Sequence, residues 1–312
     1  MANLKIAAWN IYFSWKMVKR NSGGRFSIPS SQSNRAEKVG EIVRDMDVDA
    51  LGIIESMGEA ALEFYCKTHC PEYDGFVINE SVENYGISLI YKRSSVKVRK
   101  LPIDVSKWKA KIGDDRGLKT YKFTRSPLVV KVTSRASNKS IVLCFVHAKS
   151  KRPRKQPDDL TPQERERRKR DEAVRNRKRI VAEVLRVREL LYRNYDKFII
   201  LGDINDGPDF DEHEQKIWRS GIESLLGSVL DPDNILHSFV DMSDGKGEPT
   251  CSFRGGTIQL DHIVYTPNMR NGQALPKIKK GTGKVRSDLV DLSEDGKNRD
   301  SDHAPVEVEV RF

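Results

Sequence analysis

Polar residues that can bind a metal ion or transfer a proton stand at the ends of apolar, strand-like segments of the sequence. Carboxylate and amide oxygens suit Mg²⁺, and imidazole transfers protons near neutral pH. Any one such residue is a weak signal, because an acidic residue or Asn after a strand usually forms a turn. Six strand ends of this kind in one chain favour a hydrolytic metal centre. The residues are Asn10, Glu55, His147, Asp203, Asn205, Asp261, Asp302 and His303.

The cysteines and remaining histidines do not suggest a zinc site, because they are not paired at the spacing of zinc ligands. Cys66 and Cys70 lie four residues apart on a predicted helix and could bind a metal ion, but no second pair accompanies them. We therefore predict a structural role for this pair, and buried thiols at Cys144 and Cys251. The same structural interpretation applies to His69, His213 and His237.

Short strands, which outnumber the helices, must position the polar residues. The predicted strands cover residues 4–10, 50–54, 76–78, 87–91, 96–101, 126–134, 140–147, 198–201, 260–265 and 306–312. The predicted helices cover 35–46, 59–67, 215–226 and a long segment from Thr161. Adjacent hairpins favour an α/β sandwich, in which two sheets pack face to face with helices outside. We predict one domain over residues 1–312, with a basic loop and long helix inserted at about 149–193.

The long helix has a recognisable start. Thr161 can cap it, Pro162 suits its first turn, and Glu164 completes a capping box. Apolar residues at helical spacing give it one stripe that can be buried. The stripe consists of Ala173, Ile180, Val184, Leu190 and Leu191.

Positive charge is concentrated in the segment 149–188. This segment has 16 Lys and Arg against 7 Asp and Glu, which gives +9 of the chain's net charge of +10. A basic block beside a candidate active site favours a polyanionic partner, most commonly nucleic acid. Arg154, Lys155 and the Arg-rich helix could extend a track for phosphates. Alternatively, the helix is simply solvated and stabilised by ion pairs between successive turns.

The ordered motifs resemble those of the endonuclease/exonuclease/phosphatase superfamily, to which deoxyribonuclease I and the abasic-site endonucleases belong. The most specific motifs are Gly-Asp-Ile-Asn at 202–205 and Ser-Asp-His-Ala-Pro-Val at 301–306. The resemblance extends over residues 5–310. The segment 123–131 is also similar to a deoxyribonuclease I segment whose Arg contacts substrate, which implies that role for Arg125.

The segment 147–152 resembles segments of bacterial nucleases in the same superfamily. This resemblance implies that Lys149, Lys151 and Arg152 hold backbone phosphates near the cut. Contacts of this kind give affinity without reading sequence, and they make binding strongly dependent on salt. The segment therefore favours a nuclease over a phosphatase.

The superfamily implies a four-layered fold, with two mixed, mainly antiparallel sheets and helices on the outer faces. It also implies a metal ion that assists attack by water on phosphorus. Glu55 would bind Mg²⁺, helped by Asn10 and Asp302. We expect Mn²⁺ to be able to substitute.

The same resemblance assigns the proton transfers. His303 would orient or deprotonate water, and Asp261 would accept its second N–H. Asp203 and Asn205 would hold the water and the phosphate. His147 would donate a hydrogen bond or a proton near the leaving group, as the second histidine of deoxyribonuclease I does.

These expectations favour a Mg²⁺-dependent nuclease that acts on DNA, with RNA also open, and with little sequence preference. The alternative is a phosphatase or phospholipase of the same superfamily acting on inositol phosphates, nucleotides or sphingomyelin, although small substrates do not need a basic track. A non-catalytic binding module is disfavoured because the catalytic positions are filled. No apolar run approaches the roughly 20 residues of a membrane span. No leader precedes the first strand, so we expect a cytoplasmic monomer without a membrane partner.

Overall fold

Two large mixed sheets pack face to face in the computed structural model of this chain. The structure describes residues 2–12, 14–79, 86–208, 211–228, 230–231, 233–238, 248–253, 256–270, 274–292 and 300–312. The strands are β1 (Asn3–Asn10), β2 (Lys19–Arg20), β3 (Phe26–Ser27), β4 (Ala50–Ser56), β5 (Gly75–Asn79), β6 (Gly86–Tyr91), β7 (Val96–Lys100), β8 (Trp108–Ala110), β9 (Lys119–Tyr121), β10 (Leu128–Ser134), β11 (Ser140–His147), β12 (Phe198–Asp203), β13 (His237–Ser238), β14 (Cys251–Phe253), β15 (Gly256–Ile258), β16 (Asp261–Tyr265), β17 (Lys277–Ile278), β18 (Lys284–Val285) and β19 (Val306–Arg311). The helices are α1 (Ser33–Met46), α2 (Glu59–His69), α3 (Pro162–Asn194), α4 (Glu212–Gln215) and α5 (Gly221–Leu226).

Each large sheet has a parallel strand pair at its centre, flanked by antiparallel pairs. The first sheet has the order β17-β19-β1-β4-β6-β5, with β18 also paired to β19, and its parallel pair is β1 and β4. The second sheet has the order β13-β16-β12-β11-β10-β7, and its parallel pair is β11 and β12. Parallel strands end at the same edge of a sheet. Each sheet therefore presents two neighbouring carboxyl ends.

Alternation along the strands divides the apolar side chains into layers. In β1, Ile6 and Ala8 face the core between the sheets, whereas Ala7 and Trp9 face helices α1 and α2. The outer face of the second sheet packs against α3 and α5. The predicted four-layered α/β/β/α sandwich is therefore confirmed.

Helix α3 begins where the sequence predicts. Thr161 Oγ1 accepts a hydrogen bond from the backbone N–H of Glu164, and the Glu164 carboxylate accepts one from the backbone N–H of Thr161. The whole predicted apolar stripe is buried. Although α3 runs for 33 residues, no helix in the described part of the chain is long and apolar enough to cross a membrane.

The predicted helix over residues 215–226 is wrong. The structure has two short helices instead: α4 ends at Gln215, and α5 begins after Ser220, which caps it. Between them, Trp218 has a φ of 54°. A residue in this left-handed region cannot continue a right-handed helix, and apolar spacing alone does not reveal such a reversal.

Gly52 allows β4 to approach β11 across the core between the sheets. A Cβ atom at this position would lie 2.1 Å from Cδ1 of Phe145. The Phe145 ring is fully buried in a close-packed core, so little free space is open to it. Because both strands carry candidate site residues at their carboxyl ends, this approach also sets the position of the site.

We expect Gly52→Ala to lower the free energy of unfolding by about 1–3 kcal/mol through overpacking. Urea denaturation would measure the change. Gly117→Ala is the matched control, because a Cβ there meets no atom within 4 Å, and its effect should stay within about 0.5 kcal/mol. If the urea midpoint of Gly52→Ala equals that of the wild type, the two sheets can move apart without loss of stability, which would contradict the prediction.

Candidate active site

The ends of the two parallel strand pairs meet at one cavity of about 1150 Å³. Asn10 ends β1, and the register of β11 with β12 places His147 opposite Asp203. Antiparallel β16 then places Asp261 opposite Asp203 on the other side. All the sequence-predicted site residues line this cavity except Asp261, which lies behind His303, and Lys149.

Glu55 reaches the cavity because β4 is irregular at this residue. The pairing of β4 with β6 shifts register between Ile54 and Ser56, and Glu55 has a φ of 59°. Ser14 Oγ donates a hydrogen bond of 2.6 Å to the backbone oxygen of Glu55. A bulge of this kind redirects a side chain, and bulges are common beside active sites. The unusual φ of a glutamate here is consistent with a functional constraint.

Asp203 joins the two sheets at the cavity. Its Oδ2 accepts hydrogen bonds of 3.0 Å from Nδ2 of Asn10 in the first sheet and from Nδ2 of Asn205. Its Oδ1 accepts one of 2.7 Å from the backbone N–H of Asn205, which has a φ of 55°. Burial raises the pKa of Asp203 to about 7, and Asp261 adds to this rise while His303 opposes it. Burial therefore disfavours the charged form of this carboxyl group.

The side-chain amide of Asn205, which we predicted to donate to the phosphate, donates to Asp203 in this structure. Its Nδ2 also donates to the backbone oxygen of Ala148, at 3.2 Å. An amide has two N–H donors, and both are used within the protein. In this structure the amide of Asn205 positions Asp203 and Ala148, and a contact of Asn205 with phosphate stays a prediction.

His303 and Asp261 form a buried pair. Nδ1 of His303 lies 2.6 Å from Oδ2 of Asp261. Burial alone would lower the pKa of His303, but the Asp261 carboxylate raises it well above the ordinary value. Ser301 Oγ donates to the backbone oxygen of Asn10 at 2.6 Å, and Trp9 Nε1 donates to that of His303 at 2.8 Å. These bonds fix the His303 segment against β1.

His147 is held as a neutral imidazole. Burial lowers its pKa well below the ordinary value, and the nearby charge of Arg125 adds to the effect. Its Nε2 lies 3.6 Å from Oδ2 of Asp203, which is too long for a hydrogen bond. Within the described part of the chain its buried Nδ1 has no hydrogen-bond partner. A neutral imidazole suits hydrogen-bond donation to a substrate better than proton donation.

The residues near Glu55 fit a hard divalent cation. Asn10 turns its Nδ2 towards Asp203, and among the described residues its buried Oδ1 has no hydrogen-bond partner. Glu55 and Asp302 line the same cavity with carboxylates. Amide and carboxylate oxygens are the ligands that Mg²⁺ prefers, so the donor set agrees with the expected metal.

The prediction that Lys151 holds substrate phosphate does not agree with its surroundings. Its ammonium group is bonded to Asp206, lies 2.8 Å from Glu214, and is 3.3 Å from Asp211. Burial and the Asp206 charge raise the pKa of Glu214 to about 7, against the effect of Lys151. Lys151 therefore neutralises a buried acidic cluster. Lys149 is the second predicted phosphate contact whose surroundings differ from the prediction. Its Nζ donates a hydrogen bond to the backbone oxygen of Ser150.

Glu183 is a site residue that sequence analysis missed. Its carboxylate accepts hydrogen bonds from the backbone N–H of Thr124 at 2.7 Å, from Thr124 Oγ1 at 2.6 Å and from the backbone N–H of Lys149 at 3.0 Å. Arg125 follows Thr124 and donates to the backbone oxygen of Ala148 at 3.1 Å. Glu183 thus fixes both loops that carry predicted substrate contacts. The sequence did offer one signal for Glu183, because this acidic residue lies between Ile180 and Val184 of the apolar stripe of α3.

Basic side chains form one wall of the cavity. We call this set the cationic wall, and it consists of Arg152, Arg154, Lys155, Lys169 and Arg170. Lys169 and Arg170 make no ion pair with any carboxylate that the structure describes. Further along α3 the charges are used structurally, since Arg177 pairs with Asp211 and Arg186 with Asp104, each at 2.6 Å. Of the α3 basic residues that line the cavity among the described residues, Arg177 is paired with Asp211, whereas Lys169 and Arg170 lie in the first turns without such a pair.

Comparison with solved structures supports the fold. TDP2 of D. rerio, solved with a single-strand DNA product, has a TM-score of 0.55 and 13% identity, and the match covers 100% of both chains. A truncated TDP2 of Caenorhabditis elegans has a TM-score of 0.52 and 13% identity, covering 99% of this chain and 98% of that one. ANGEL2, a 2',3'-cyclic phosphatase, has a TM-score of 0.53 and 13% identity, covering 99% and 96%.

Structural similarity at 13% sequence identity shows only that the folds are alike. Membership of a family is shown by a match to the sequence pattern of that family. Comparison with curated proteins gives no match. The model of the Endonuclease/Exonuclease/phosphatase family, however, matches residues 7–303. The match includes every predicted site residue from Asn10 to His303. The chain therefore belongs to the endonuclease/exonuclease/phosphatase family.

Proposed function

We propose that this chain is a Mg²⁺-dependent nuclease that hydrolyses phosphodiester bonds of DNA with little sequence preference. Its family consists of phosphodiesterases and other hydrolases that typically depend on a divalent metal ion. The observation that carries the proposal is the continuity of the hydrolytic residues with the cationic wall in one cavity. A small phosphomonoester does not need such a wall, whereas a polynucleotide does. We further infer that residues 1–312 act as one catalytic domain.

The metal would be held by Glu55, Asn10 and Asp302. When bound, it neutralises a nonbridging phosphate oxygen and the charge that develops on the leaving oxygen. The bulge at Glu55 and the bond from Asn10 to Asp203 hold two of these residues in place before any ion binds. Preorganised ligands of this kind reduce the ordering cost of binding.

The water would be activated by His303. Its Nδ1 is occupied by Asp261, so Nε2 is the atom that takes the proton. Asp203, held by three hydrogen bonds from Asn10 and Asn205, would accept a hydrogen bond from the same water. His147 would donate a hydrogen bond towards the leaving oxygen through a ring N–H.

The strand would leave the hydrolytic centre along the cationic wall. TDP2, which shares this fold, was solved with a single-strand DNA product, so the fold accommodates a nucleic acid strand. Arg152 and Arg154 precede α3, and Lys169 and Arg170 lie in its first turns on the cavity side. Contacts from these residues to the backbone would give affinity without base recognition.

A panel of substrates tests the proposal directly. Supercoiled plasmid, linear duplex, single-stranded DNA, RNA and inositol phosphates would each be incubated with Mg²⁺, Mn²⁺ or EDTA. We expect the metal-dependent cleavage of DNA, and nicking of the circular plasmid would identify internal cutting. Turnover of phosphomonoesters alone would replace the nuclease with a phosphatase, and cleavage of RNA alone would change the polymer.

We expect His303→Ala to lower the cleavage rate about 10²–10⁴-fold, because the water loses its base. Steady-state cleavage under saturating Mg²⁺ would measure the loss, with folding checked by circular dichroism. His237→Ala is the control, since His237 lies on β13 and does not line the cavity. Near-wild-type turnover in His303→Ala would remove this residue from the reaction.

We expect the cleavage rate to increase with pH on the acidic side of its optimum. Asp261 raises the pKa of His303, so the imidazole becomes a neutral base only above its ordinary titration range. Asp261→Asn should lower that pKa and move the acidic limb of the profile to lower pH, while the maximal rate falls. A pH–rate profile of both proteins at saturating Mg²⁺ measures the shift, and a limb that stays in place would contradict it.

We expect a Lys169→Gln, Arg170→Gln double variant to flatten the salt dependence of DNA binding. Each lost phosphate contact reduces the slope of log Kd against log salt by about 0.7–0.9. The matched control is Arg168→Gln with Arg175→Gln, which removes two exposed charges that do not line the cavity. Binding isotherms at several salt concentrations, with EDTA to prevent cleavage, would measure the slope of log Kd against log salt for each variant. Equal slopes in the two variants would show that only the total charge matters and would contradict the prediction.

A further inference from the structure

A thiol lies beside the imidazole of His303. An isolated antiparallel bridge pairs Cys251 of β14 with His303, supported by a backbone hydrogen bond of 3.0 Å from Ser252 to Asp302. Residues paired directly across antiparallel strands point to the same side. Cys251 is 4% exposed and His303 is 6% exposed, and both line the cavity.

Asp302 completes a set of three ligands. A sulfur of Cys251, a ring nitrogen of His303 and a carboxylate oxygen of Asp302 lie within 4.8 Å of one another. A tetrahedral zinc ion with bonds of about 2.0–2.3 Å keeps its ligand atoms roughly 3.3–3.7 Å apart. A small inward movement of the side chains would therefore bring them to that spacing.

The bond behind His303 is an independent observation that points to a metal. Because Asp261 holds Nδ1, the nitrogen that remains for a ligand is Nε2. Histidines that bind zinc usually donate their other N–H to a carboxylate, which fixes the ring and raises its basicity. Thiolate and imidazole select borderline and soft cations such as Zn²⁺, whereas Mg²⁺ prefers oxygen.

We propose that Cys251, Asp302 and His303 form a further cation site, which shares Asp302 with the proposed Mg²⁺ site and prefers borderline or soft divalent ions such as Zn²⁺, and that its occupation inhibits the enzyme. Binding replaces the thiol proton, which leaves to solvent, and uses Nε2 of His303 as a ligand. The imidazole then cannot accept a proton from water. The inhibition rests on the proposed function, whereas the binding of the ion does not.

A cobalt titration of the full chain tests binding without reference to activity. Co²⁺ bound by a thiolate gives a near-ultraviolet charge-transfer band that oxygen ligands do not give. We expect this band in the wild type and its loss in Cys251→Ser, with Cys251→Ala as a second variant if serine prevents folding. Cys66→Ser is the matched control, because Cys66 is also buried but lies on α2. No band, a band that survives in Cys251→Ser, or one that is lost in Cys66→Ser would overturn the site.

A zinc titration at fixed Mg²⁺ tests the inhibition. Each protein is normalised to its own rate without Zn²⁺, and we expect half-inhibition of Cys251→Ser to need at least about tenfold more Zn²⁺ than the wild type. Equal sensitivity would overturn the inhibitory role even if cobalt binds. If the chain hydrolyses no substrate, the proposed function fails, and the cobalt titration still decides whether the cation site exists.

Discussion

The hydrogen bond from Asn10 to Asp203 connects the first sheet to the second at the cavity. Each residue ends the central parallel pair of its own sheet, so this contact requires both pairs to end at one place. The close approach permitted by Gly52 makes this possible in the core below. The same bond leaves Oδ1 of Asn10 available and helps to hold a buried Asp203 whose pKa is raised to about 7. The proposed metal ligands and the proposed acid–base residues therefore depend on one alignment of two sheets.

The sequence was sufficient to predict the layers and the strand ends, because alternating apolar residues and the polar residues that follow them are local patterns. It could not predict the bulge at Glu55, since an extra residue in one strand depends on the partner strand. It also could not show that Cys251 meets His303, because the rule of ligand spacing applies only to residues close in sequence. Sequence analysis excluded zinc on that rule, and tertiary contact reopens the question.

Charge counting had a similar limit in the segment 149–188. The sequence predicted a basic block and left open whether it binds a polyanion or is solvated. The structure divides it, because Lys151, Arg177 and Arg186 are used in ion pairs within the protein. The residues proposed to contact a nucleic acid strand are instead those of the cationic wall, such as Lys169 and Arg170, which line the cavity. A net charge therefore overstates the number of phosphates that such a block can contact.

The carboxylate of Glu183 makes the basic loop depend on helix α3. It holds Thr124 and Lys149 from two separate loops, and it belongs to helix α3. The placement of the basic loop therefore depends on the helix that anchors it. The loop and the helix form one structural unit. A chimera that received the loop without the helix would carry the same charges, but they would not be held in the same positions.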